Sequence, residues 1–321
     1  MSTVRPAQRG LLFLGCLLAF VRWEPAPYDL FLIIIFLLYA RGLTWKSYQL
    51  VFVVLLGPLL FTHVPALGAA LEVAPERTLY YSLVTLYLAL SSVFFMSLPE
   101  RSVPLLLLGY EVGALLSGLL GVLAFLRIPG LEDLLWGGSR AVAFFKDPNV
   151  FGAFLIPALF LALARLEQGR KFWILPALIL FLGVLVSLSR GAWANFAVAL
   201  LAWWLLRPRK RIWLPLVLLT LAGGVGISVV VMPDNPIVQR LGFMPYDKER
   251  FFTQMEALSL ALTQPLGYGP GLSEIHLSYA THNTYVRFLA EVGWLGLFFW
   301  LLILGTSLIW SLYQGLKQQS F

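Results

Sequence analysis

The sequence predicts an all-α integral membrane protein of about ten transmembrane helices, with a long helical extracytoplasmic loop before the last span. Composition is the first observation behind this. Of 321 residues, 60% are hydrophobic and only 12% are charged, about half the charged share of an ordinary soluble domain. The second is a succession of apolar runs near bilayer length. The third is an uneven division of Lys and Arg between alternate loops. The pI near 9.6 follows from that division and implies no nucleic-acid partner, because Lys and Arg gather in cytoplasmic loops during insertion.

Taken in order, the first apolar run covers 11–21. It follows Arg5 and Arg9 as a signal-peptide core would, but Arg22-Trp23-Glu24-Pro25 is a poor cleavage site, so it reads as a retained span. Run 28–40 is also short, and the two form either thin spans or one hairpin. Clear spans follow at 49–67, 78–97, 103–126, 150–164, 172–188, 192–206, 212–232 and 292–312, each near the ~20 residues that a helix needs to cross. Arg207-Pro208-Arg209-Lys210-Arg211 is the strongest cytoplasmic marker. Counting alternately from it puts 13 Lys and Arg inside and 10 outside, with 2 acidic residues inside, 13 outside and Glu111 within a span. A multi-pass membrane protein with both termini cytoplasmic follows from that count. Residues 1–321 then form a single transmembrane helical domain, with 233–283 as an extracytoplasmic loop inserted within it.

That loop is too long to be bare. Residues 249–263 carry Phe251, Phe252, Met255, Leu258, Ala261 and Leu262 at helical spacing, which predicts an amphipathic helix. It stops at Gln264-Pro265, before the tight turns of Gly267-Tyr268-Gly269-Pro270-Gly271. Cytoplasmic loops are short, and no G-x-x-x-x-G-K-[ST] occurs, which argues against ATP-driven transport. One cysteine, Cys16, permits no intrachain disulfide. Three scattered histidines make no zinc spacing, so no metal and no cofactor is expected.

The chemistry sits on the outer face. Arg190, in Ser187-Leu188-Ser189-Arg190-Gly191, ends one span and begins the next. It is either snorkelling to lipid phosphate or an anion site, since guanidinium binds phosphate oxygens through paired, charge-assisted bonds. Arg250 opens the amphipathic helix, and Arg140 precedes Phe144-Phe145-Lys146-Asp147-Pro148-Asn149. Several such arginines on one face suit a diphosphate lipid. His282-Asn283 closes the loop: the histidine could take a proton from a hydroxyl, and Asn283 suits a helix N-cap. Arg287 and Glu291, four apart, are expected to pair. Glu111 could pair with an arginine across the bundle or carry a proton. Trp203, Trp204, Trp213, Trp300 and Trp310 are interface anchors.

In order and spacing, four segments resemble the O-antigen ligase and O-antigen polymerase superfamily of bacterial envelope enzymes. They are Phe145-Lys146-Asp147-Pro148-Asn149 with Gly152; Ser189-Arg190-Gly191; Arg250 before Pro265-Leu266-Gly267-Tyr268-Gly269; and His282-Asn283-Thr284-Tyr285 with Glu291-Val292-Gly293 and Gly296. The resemblance covers roughly residues 140–312. It implies a metal-independent transferase that takes a glycan from an undecaprenyl-diphosphate carrier to a lipid or saccharide acceptor. His282 would then assist the acceptor hydroxyl, and Arg190 and Arg250 would hold the diphosphate. Arg140 would be a third cation, with Asn149 and Asn283 lining the substrate. Gln254 stands where the family often has Trp. Two other expectations stay open: a small-anion (bicarbonate-like) transporter that needs Glu111, and a non-catalytic scaffold.

Overall fold

A computed structural model describes residues 6–39, 43–45, 47–206, 240, 242, 244–277, 281 and 283–319. The expected span 212–232 and His282 lie outside the described residues. The chain divides into two compact units, Met1–Gly42 with Pro99–Gly242, and Leu43–Leu98 with Phe243–Phe321.

The first unit contains α1 (Pro6–Leu17), α2 (Pro27–Tyr39), α6 (Val103–Phe125), a hairpin of β1 (Leu135–Trp136) and β2 (Arg140–Ala141), α7 (Pro148–Glu167), α8 (Ile174–Val186) and α9 (Arg190–Leu206). Although α1 is short, it packs more intimately than any other helix here. A Cβ on Gly109 would lie 1.8 Å from the Leu12 carbonyl oxygen, and one on Gly15 would lie 2.2 Å from that of Leu106. Small residues let membrane helices touch backbone to backbone, where lipid removes the hydrophobic drive to associate. The core continues through Phe145, Phe151, Leu155 and Leu180. Residues 21–24 meet the 127–149 loop: the Val21 amide donates to Phe144, Phe20 stacks on Phe144 at 4.6 Å, and Lys146 pairs with Glu24. Both segments fall on the outer side of the charge count.

The second unit contains α3 (Ser47–Phe61), α4 (Leu67–Val73), α5 (Pro75–Met96), α10 (Pro245–Thr263), the single turn α11 (Ser273–His276) and α12 (Thr284–Gln319). The expected span 49–67 ends at Phe61, and α4 follows as a separate short helix. The amphipathic helix is present as α10, but its large side chains are not its buried side. Phe251, Phe252, Met255 and Leu262 are exposed, while Thr253, Ala257 and Ala261 are buried. Small residues and the partly buried Leu260 pack toward α12; the outward apolar face has the character of a helix lying in a membrane interface.

Inside α12 the helix breaks at Gly293, with φ 68° and ψ −167°, a region open only to glycine. The loop 265–269 docks there. Tyr268 and Gly269 amides donate to the carbonyls of Ala290 and Glu291, and the Trp294 amide donates to Pro265, all at 2.9–3.1 Å. Backbone groups freed within a membrane helix must find partners, and the glycine-rich loop supplies them. A Cβ on Gly293 would stand 2.0 Å from the Pro265 oxygen. Two motifs that look independent in sequence therefore form one clasp.

Among the described residues, four helices are long and apolar enough to cross a membrane: Pro75–Met96, Glu100–Phe125, Pro148–Glu167 and Thr284–Lys317. Pro27–Tyr39, Gln49–Phe61 and Lys171–Val186 are apolar but shorter. The described residues thus form a helical, membrane-type fold with four full-length crossings, and the expected ten include a span outside them.

Candidate functional site

In the first unit, three expected residues come together around one turn. Gly137 and Gly138, at φ 54° and 68°, close a β-hairpin that points β2 and Arg140 toward the α8–α9 connection. Arg140 Nε donates to the Ser187 carbonyl at 3.2 Å, and its Nη2 donates to Asn149 Oδ1 at 3.1 Å. The same Asn149 oxygen accepts the Ser189 hydroxyl at 2.7 Å. Asn149 is fixed in turn, since Asp147 caps α7 by accepting from its amide.

Ser187 and Ser189 are fully buried polar residues, and their bonds explain why the turn holds its shape. The Ser187 hydroxyl donates to Val184 at 2.7 Å, and Ser189 Oγ accepts the Ala192 amide at 3.2 Å. That last bond is an N-cap, and it sets Arg190 at the first position of α9. Between the serines, Leu188 takes a left-handed φ of 48°, uncommon without glycine. Gly152 makes room, for a Cβ there would meet Ser187 Oγ at 2.6 Å. Arg190 Nη1 donates to the Gly242 carbonyl at 3.2 Å. Sequence reading singled out Arg190 but not the serines beneath it; the signal for them was a Ser-x-Ser ahead of a helix.

In the second unit, Arg250 lies on α10 with its guanidinium 4.6 Å from the centre of the Tyr246 ring. Its buried Nε has no hydrogen-bond partner among the described residues, an expensive condition for a donor. Asn283 is the N-cap of α12, its Oδ1 accepting from the amides of Tyr285 at 3.0 Å and Val286 at 3.3 Å. Arg287 Nε reaches Glu291 Oε1 at 3.0 Å as expected, and Ser273 Oγ donates to the same oxygen at 2.7 Å. His63, in the turn after α3, is half-buried, and that burial holds its imidazole below the ordinary histidine range against the opposing pull of the Leu59 carbonyl and Glu291.

Glu111 pairs with Arg165 at 2.6 Å, and the Arg165 guanidinium rests 4.1 Å from the Trp173 ring. This is a buried carboxylate held by a fixed cation.

Residues 175–301 match the family model described as O-antigen ligase. The match spans 127 of the 321 residues. The matched segment contains Arg190, Arg250, His282 and Asn283, while Arg140 and Asn149 precede it. It also contains both halves of the clasp at Gly267 and Gly293. No curated protein and no solved structure matches the chain. The match and the apolar helices support a membrane protein similar over that segment to the O-antigen ligase family.

Proposed function

We propose that this protein transfers a glycan from an undecaprenyl-diphosphate-type carrier to an acceptor hydroxyl on the outer face of the inner membrane, without a metal. The observation that carries this reading is the O-antigen ligase-family match over 175–301, which spans Arg190, Arg250 and His282. The acceptor oxygen attacks the anomeric carbon and loses its proton to His282. The bond from that carbon to the phosphate oxygen breaks, and the polyprenyl diphosphate departs with the bonding pair. Arg190 and Arg250 offset the charge that grows on the diphosphate, with Arg140 as a third cation. Support for these roles is local. Arg190 is held at the head of α9 by the Asn149–Ser189 bond, and the unmatched Nε of Arg250 suits an anionic acceptor. Asn283 orders the first turn after His282.

The test is transfer from a purified lipid-diphosphate glycan by the detergent-solubilised protein, with and without chelator. His282→Ala and Arg190→Ala should each lower the rate by about 100-fold or more while the protein still inserts. Full activity in both variants would overturn the mechanism. Product length separates the outcomes: one addition to a lipid acceptor marks a ligase, and a ladder of repeats marks a polymerase.

A further inference from the structure

The second unit holds a cavity of about 140 Å³ between α5 and the first turns of α12, with His63 at its rim. Among the described residues, none of those proposed for transfer lines it. Its walls mix charged, hydroxyl and aromatic groups: Arg287, Glu291, Tyr81, Thr85 and Phe288. The i,i+4 pairing of Arg287 with Glu291 accounts for only part of this polar lining.

The wall is electrically balanced. Arg287 is committed to Glu291 at 3.0 Å, and Ser273 holds the same carboxylate oxygen at 2.7 Å. Arg287 also lies over the Tyr81 ring at 4.4 Å, which fixes the guanidinium plane. An anion entering here would have to displace a carboxylate and then sit beside it, which is costly in a desolvated place. An acyl chain would leave the ion pair facing hydrocarbon. A neutral ligand bearing hydroxyls meets neither objection.

The polar groups can serve such a ligand in both directions. His63 Nδ1 stands 3.0 Å from the Leu59 carbonyl. A carbonyl only accepts, so Nδ1 carries the proton and Nε2 of the neutral ring is an acceptor. Thr85 Oγ1 donates to the Tyr81 carbonyl at 2.9 Å, which leaves its lone pairs to accept. Glu291 Oε2 can accept as well, and Arg287 has N–H groups beyond Nε to donate. Phe288, stacked on Trp300 at 4.8 Å and 7°, adds a rigid apolar face. The volume is close to the cavity of about 150 Å³ that takes up a single benzene ring.

We propose that this cavity is a subsite for one sugar ring, with the ring hydroxyls on His63, Thr85 and the Arg287–Glu291 pair and its C–H face on Phe288. The proposal rests on the glycan-transfer reading only for where the sugar would come from.

The experiment needs no turnover, so its failure and the failure of the transfer assay are separate results. The full chain, labelled with ¹⁵N in its three histidine rings, is held in amine-oxide micelles, which contain neither sugar nor phosphate. It is titrated with octyl glucoside, octyl phosphate and octanol. The His63 signals are assigned by their loss in His63→Gln. Octyl glucoside should move them saturably while octyl phosphate and octanol do not. Thr85→Val, which keeps the ion pair and the side-chain shape, should weaken that binding about fivefold, the value of one lost hydrogen bond near 1 kcal/mol. Movement by octyl phosphate instead would make this an anion site. Equal movement by octanol would make it an apolar void, and no movement by any probe would make it a water-filled packing gap. Each of these three results overturns the proposal.

Discussion

The two units hold themselves together by different means. In the first, a continuous core runs through α6, α7, α8 and α9, and α1 lies against α6 with the backbones in contact. In the second, α5 is almost bare: 6% of its apolar stretch is buried, against 39% for α6. What ties this unit is polar and backbone bonding. The clasp at Gly293 joins loop to helix, Arg77 pairs with Glu274 and donates to Gly271, and Arg287 pairs with Glu291. A bilayer gives no reward for burying leucine against leucine. A membrane unit with little tight packing must therefore be specified by bonds that lipid cannot offer. Arg140, Asn149 and Arg190 belong to the closely packed unit, and Arg250, His282 and Asn283 to the polar-bonded one.

That contrast can be broken by substitutions in each unit. The largest effect is expected for Gly109→Leu, which forces α1 away from α6 and costs about 3 kcal/mol or more. Trypsin should then cut at Arg127 and Arg140 in the first unit while Arg77 in the second stays protected; equal cleavage at all three would erase the distinction. Gly118, where a Cβ would meet nothing closer than 3.7 Å, should accept alanine without this change. Next is Gly293→Ala, at about 2–3 kcal/mol for a glycine-only conformation and a clash with Pro265. It should open the clasp and let chymotrypsin reach Tyr268, leaving the 127–149 loop resistant.

Glu111→Gln is expected to cost about 2 kcal/mol by weakening the buried pair with Arg165. It should lower thermal stability in detergent yet leave glycan transfer intact. If transfer is lost while stability is kept, the carboxylate has a role in the reaction and the transporter reading regains its footing. The smallest effect is expected for Asn283→Ala, about 1 kcal/mol for a lost cap. Hydrogen exchange should rise in the first turn of α12 alone, and a change spreading to α5 would mean that the unit is more cooperative than its bonding suggests.

Much of this was legible in the residues, and the misses have physical causes. Hydropathy located the long helices because twenty apolar residues have few other uses. It undervalued α1, whose strength lies in Gly15 and in Gly109 and Gly113 on another helix, which no local window connects. The amphipathic period found α10 without assigning its buried side, which falls to Thr253, Ala257 and Ala261, since the large apolar residues of a helix at a membrane surface can face lipid. Pairs four apart, such as Arg287 and Glu291, were readable because one helix turn brings them together. The serines under Arg190 and the clasp at Gly293 depend on contacts between distant segments, so only their glycines and hydroxyls showed in advance. The β-hairpin is two residues per strand, too brief for alternation, with Gly137-Gly138 as its sole mark.

The contact between α1 and α6 also sets a timetable. At roughly 5–20 residues per second of synthesis, the 86 positions from Leu17 to Val103 take about 4–17 s, so α1 waits in the membrane with its glycine face unmatched. Tyr81 waits longer for Arg287, about 10–40 s at the same rate. The first unit can therefore close while the ribosome is still working, and the second only when the last helix arrives. A chain stalled before residue 284 would carry a finished first unit beside an open second one.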